Sequence, residues 1–120
     1  MKILVIEDEP DILDNISEVL VSEGHEVLTA KDGAIGLEVA KSQLPNLVIC
    51  DLMLPEIDGH AVVAELRGLS EFRDTPIIIM SGKAGHQTIE DTLKKGASAF
   101  IKKPFNIDSF IALIGEYDVN

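Results

Sequence analysis

Three runs of consecutive β-favouring apolar residues, at 2–6, 47–50 and 77–80, constrain the fold of this chain more than any other feature. A strand with one wet face alternates apolar and polar side chains. These runs are apolar at nearly every position, as in parallel strands covered on both sides, and each is too short for a helix. Two runs of more mixed polarity, at 25–30 and 98–101, have the character of strands nearer a sheet edge.

Helical periods fill the intervals. Ile12, Leu13, Ile16, Val19 and Leu20 share one helix face, with Pro10 suited to the first turn and Gly24 to the residue past the end. Leu37, Ala40 and Leu44 mark a second helix, Val62, Val63, Leu66 and Leu69 a third, and Ile89 with Leu93 a fourth that Gly96 ends. Ile107, Phe110, Ile111 and Ile114 form the last stripe, opened by Asn106 as a capping residue. Five alternations of strand and helix with short connections predict a doubly wound α/β domain, a five-stranded parallel sheet with helices on both faces. With 120 residues, 46% of them hydrophobic, and neither repeat nor low-complexity linker, the expectation is one domain over 1–120. Ligands of such sheets bind in the loops that follow the strands.

Composition narrows the function classes. A formal charge of −11 opposes contact with nucleic-acid phosphates or anionic membrane surfaces. Neither long apolar run approaches the roughly 20 residues that span a bilayer, and Met1-Lys2 leads into a run too short for a secretory signal. The single cysteine, Cys50, follows Val48 and Ile49 and reads as a buried, reduced thiol. A soluble, cytoplasmic protein is expected.

The residues after each apolar run carry the chemistry: Glu7-Asp8-Glu9, Asp51, Ser81-Gly82 and Lys103-Pro104. Each alone has an ordinary reading. Glu9 suits a helix-dipole acid, Asp51 a loop cap, Ser81 a helix cap and Lys103 a surface cation. Together at one sheet edge they are complementary. If the third strand neighbours the first, Glu7, Asp8 and Asp51 share a pocket, and their mutual repulsion calls for a hard cation such as Mg²⁺, with Mn²⁺ as an alternative. Asp51 is then a carboxylate nucleophile able to form an aspartyl phosphate, with the Lys103 ammonium and Ser81 hydroxyl facing the phosphoryl oxygens.

Across essentially all 120 positions these residues resemble the receiver family of two-component signalling. The acidic pair is Glu7-Asp8, the phosphoacceptor segment Asp51-Leu52-Met53-Leu54-Pro55 with Asp58-Gly59, the hydroxyl position Ser81 and the lysine-proline Lys103-Pro104-Phe105. The resemblance implies a flavodoxin-like (βα)5 sheet of strand order 2-1-3-4-5. It implies a phosphohistidine donor on a sensor histidine kinase or phosphotransfer protein, the Met53 carbonyl as a further metal ligand, and a cis bond before Pro104. It also implies that Ser81 and Phe100 act as switch residues, altering the surface of the fourth helix, fifth strand and fifth helix toward a downstream effector. Glu7, Ser81 and Phe100 stand where Asp, Thr and Tyr are frequent. The longer Glu7 side chain suits contact with the metal through water.

Other readings fit less well. A phosphatase of the haloacid-dehalogenase type wants a second Asp two residues past the nucleophile, where this chain has Met53, so no turnover of a separate substrate is expected. A flavin site wants a Ser/Thr/Gly-rich loop after the first strand, where Glu7-Asp8-Glu9 would repel the phosphate. A receiver acting only as a docking surface ranks second. His25, His60 and His86 fall at loops or helix starts without a shared pocket and read as surface or capping residues. Strand alternation points Lys102 and Lys103 to opposite faces.

Overall fold

The computed structural model describes residues 1–82 and 85–118, with the His86 side chain outside the described set. Its elements alternate as β1 (Lys2–Ile6), α1 (Pro10–Ser22), β2 (Glu26–Ala30), α2 (Gly33–Gln43), β3 (Leu47–Asp51), α3 (Gly59–Arg67), β4 (Ile77–Ser81), α4 (His86–Lys94), β5 (Ala99–Lys102) and α5 (Ile107–Tyr117). All strands are parallel, in the order β2-β1-β3-β4-β5. The doubly wound expectation holds, with the two mixed runs at the edges.

Consecutive apolar residues in the central strands bury both faces of the sheet. Leu4, Ile6, Val48, Cys50, Ile77 and Ile79 pack toward α2 and α3. Their alternates Ile3, Val5, Leu47, Ile49, Ile78 and Met80 pack toward α1 and α5. Each such side chain contributes about 1.5–3 kcal/mol when fully removed from water. That two-sided burial holds the strand ends, and everything mounted on them, in fixed register.

Helix ends and helix burial both depart from the periodic reading. Leu44 is not on a helix face; it follows α2 in the left-handed region (φ 47°) and is exposed, because the chain turns there to enter β3. Leu69 lies past the end of α3, before a 3-10 turn (Ser70–Phe72), and still packs on the core. Ile107 and Leu93 are exposed, leaving Phe110 and Ile114 as the buried residues of α5. Glu9 precedes α1 as its N-cap without a side-chain bond, and Asp11 is the acid of the first turn. Gly96 follows α4 with φ +118°, a conformation open to glycine and strained for other residues.

Candidate functional site

β3 and β4 each run one residue further than the apolar pattern suggests, so Asp51 and Ser81 are the last residues of their strands. Register places Ile6 opposite Cys50, which brings Glu7 beside Asp51 one residue later. One carboxylate oxygen from each of Glu7, Asp8 and Asp51 lies within 4.8 Å of the others. Glu7 is wholly buried, Asp51 nearly so, and Asp8 is exposed.

Lys103 reaches this cluster from the far side. Its backbone N–H donates to the Ser81 carbonyl at 2.9 Å, tying the segment after β5 to the end of β4. The bond to Pro104 is cis, as the resemblance implied. The ammonium donates to Glu7 Oε1 at 2.6 Å and lies 3.3 Å from Asp51 Oδ2. The other Glu7 oxygen accepts from the Glu9 N–H at 3.1 Å. Ser81 is wholly buried at the neighbouring strand end. Lys102, the last residue of β5, is exposed.

The loop after Asp51 is closed on itself. Leu52 N–H donates to Met80 O at 2.8 Å, Gly59 N–H to Leu52 O at 2.9 Å, and the Asp58 carboxylate caps α3 through Ala61 N–H. A Cβ at Gly59 would stand 2.8 Å from both Asp51 O and Leu52 Cα, so only glycine lets α3 begin this close to Asp51. Met53, inside the loop, has its side chain turned to solvent. Phe100 is half-buried against the cluster that packs on α2 and α3.

Three carboxylates facing one ammonium leave the cluster two negative charges in excess. Burial raises the Glu7 pKa, with the Asp51 charge adding to it, against the hydrogen bonds from Lys103 and the Glu9 N–H. Burial opposes the charge on Lys103 too, but Glu7 and Asp51 outweigh it and hold the ammonium pKa above its ordinary value. Lys103 therefore keeps its proton and acts as a fixed positive charge. The Cys50 thiol, next to Asp51, is pushed up by burial and by the neighbouring carboxylates, so it stays protonated. It is the buried, unpaired cysteine that the sequence implied.

A cleft of about 830 Å³ opens beside the cluster, between α1 and the segment after β5, with Ile12, Ile16, Phe105, Gly82 and Lys103 among its walls. No described helix is long and apolar enough to cross a membrane. Two residues outside the carboxylate cluster form contacts across elements. His60, read as a surface or capping residue, bridges α3 to Thr92 of α4, and Arg67 ties α3 to the loop before β5. The only sequence signal for the first is Thr92, a polar residue one position before Leu93 on the fourth helical stripe.

The sequence profile of the response regulator receiver domain matches residues 3–115. Among curated relatives, the transcriptional regulatory protein KdpE of Mycobacterium tuberculosis is 37% identical over 92% of this chain and 47% of its own length. The hybrid signal transduction histidine kinase D of Dictyostelium discoideum is 33% identical over 93% of this chain and 7% of its own. The chain thus spans about half, or much less, of the curated relatives it matches. Among solved structures, the Vibrio cholerae chemotaxis protein CheY4 superposes with a TM-score of 0.91 at 27% identity, covering 97% of both chains.

Proposed function

The chain belongs to the response regulator receiver domain family, and from that premise we propose that it is a Mg²⁺-dependent phosphoacceptor switch whose nucleophile is Asp51. The observation that carries this reading is the Lys103 ammonium held between Glu7 and Asp51, with Asp8 beside them and net negative charge left over. The donor set fits a divalent cation. Its ligands are hard carboxylate oxygens, its excess charge matches a dication, and exposed Asp8 gives a hydrated ion an approach. Glu7, Asp8, Asp51 and the Met53 carbonyl would hold Mg²⁺ or Mn²⁺, and when bound the ion supplies charge neutralisation at the phosphoryl oxygens.

The chain's own residues do the rest. A carboxylate oxygen of Asp51 attacks the phosphorus of a phosphohistidine; the new O–P bond forms as the N–P bond breaks, and the imidazole leaves. Lys103, already 3.3 Å from the acceptor, moves its ammonium from a carboxylate oxygen to a phosphoryl oxygen. The Ser81 hydroxyl, buried at the next strand end, donates to another, and Phe100 follows it inward. These two residues transmit the change to the face of α4, β5 and α5, where an effector binds. The apolar cleft beside Lys103 offers a kinase or phosphotransfer protein a seat within reach of Asp51. The reading excludes turnover of a separate substrate, covers 1–120 as one domain and places it in the cytoplasm.

Acetyl phosphate with Mg²⁺ should add one phosphoryl group to the intact chain, seen by mass spectrometry, and chelation or Asp51→Asn should abolish it. Equal labelling of Asp51→Asn, or no labelling of the wild type as for a pure docking module, would refute the reading.

A further inference from the structure

Thr92 is wholly buried on a helix whose other described side chains are half-buried or exposed. Its hydroxyl has one proton, given to the Thr88 carbonyl at 2.8 Å. The contact at 2.8 Å to His60 Nε2 therefore has the ring as donor, so Nε2 carries the proton. Nδ1 then holds a lone pair, and it accepts from the Lys95 ammonium at 3.4 Å. In that tautomer the ring holds α4 through Thr92 and the residue that caps its end through Lys95.

The position of this bridge matters as much as its chemistry. His60 directly follows Gly59, whose N–H closes the acceptor loop on Leu52. At the other end of α3, Arg67 Nε donates to Gly96 O at 2.9 Å. Among the described residues, the side-chain hydrogen bonds that reach α4 and its C-terminal end from elsewhere fall on Thr92, Lys95 and Gly96. The C-terminal end of α4 is thus fixed to the helix that begins beside Asp51.

We propose that His60 is a positioning residue that pins α4 through Thr92 and Lys95, coupling the pose of α4 to the acceptor loop and opposing the phosphorylated state. The inference rests on the phosphoacceptor reading for its consequence, but not for the bridge itself. Protonation would keep the Nε2 donor on Thr92 and turn Nδ1–H toward the Lys95 ammonium, replacing a hydrogen bond with like-charge repulsion. The charged neighbours leave that repulsion uncompensated. Asp91 bonds Gln87, Asp58 caps α3, and among the described residues no carboxylate lies at ion-pair distance from the ring.

Nuclear magnetic resonance of the full chain tests the bridge. His60 should show a protonated Nε2 and an unprotonated Nδ1 near neutral pH, and on acidification the amides of Thr92 to Gly96 should shift in step with its ring. His60→Gln should remove that step. The opposite tautomer, or α4 amides indifferent to the ring, overturns the bridge. Beryllofluoride binding with Mg²⁺ tests the coupling. His60→Ala and the near-isosteric Thr92→Val should each bind at least about fivefold tighter than wild type. Unchanged or weaker binding in the folded variants overturns it. A wild type that binds no beryllofluoride and takes no label at Asp51 refutes the phosphoacceptor reading instead, and the resonance data then decide the bridge alone.

Discussion

Lys103 and Arg67 are cations at opposite ends of the same sheet, used in opposite ways. Arg67 donates to the carbonyls of Gly96 (2.9 Å), Phe72 (2.6 Å) and Thr75 (2.7 Å) and approaches Ser98 Oγ at 3.4 Å. Every hydrogen-bond partner is neutral, with the Asp74 charge acting only from beyond ion-pair distance, and together they lock the entrances to β4 and β5. Lys103 is shared between two carboxylates with a third beside them, so its site keeps a surplus of negative charge. A cation surrounded by carbonyls finishes a structure. A cation outnumbered by carboxylates leaves negative charge to spare, which is the charge the proposed Mg²⁺ would offset.

The contrast can be broken at the closed end first. Arg67→Met strips three loop carbonyls of a charged donor and should lower stability by about 2–4 kcal/mol in urea denaturation. Phosphoryl labelling of the folded fraction should survive; loss of both together would mean that the two ends are not independent. At the open end, Mg²⁺ should stabilise the wild type by about 2.7 kcal/mol at a hundredfold excess over its Kd. Asp8→Ala should abolish that gain and Arg67→Met should keep it, whereas a gain that survives Asp8→Ala would move the ion elsewhere.

A smaller effect lies at high pH. Because the carboxylates hold the Lys103 pKa up, its contribution to stability is complete below the ordinary lysine value of about 10.4 and is lost as pH rises through the higher folded value. Without Mg²⁺, the urea midpoint of wild type should therefore fall further than that of Lys103→Met across this window. Parallel curves would show that the pair does not hold the proton. The smallest effect is expected in the loop after Asp51. Glu56 sits at φ 65° in the tight turn closed by Ile57 N–H on Pro55 O. Glycine accepts that conformation without the side-chain clash, so Glu56→Gly should stabilise by about 0.5–1 kcal/mol, less if the freer unfolded chain offsets it. A destabilised variant would place a contact of the Glu56 side chain above the backbone strain.

What the chain encodes locally was legible without a structure. Consecutive apolar residues at 2–6, 47–50 and 77–80 demand two-sided burial, and the polar residues that end those runs must then gather at one edge. Glu7, Asp8, Asp51 and Ser81 follow from that pattern, Lys103 from the mixed run at 98–101, and the family resemblance added the cis bond before Pro104. Periodicity failed where a helix ends early: Leu44 and Leu69 keep the helical spacing but lie beyond α2 and α3. Spacing records which face a residue would occupy, and the turn decides whether the helix is still there. Tertiary structure alone decided the distances. Glu7 and Lys103 stand 96 positions apart in sequence and 2.6 Å apart in space, and His60 meets Thr92 across 32 positions. Such contacts depend on strand register and on how closely α3 lies beside α4, sums of packing over many residues that no short window of sequence contains.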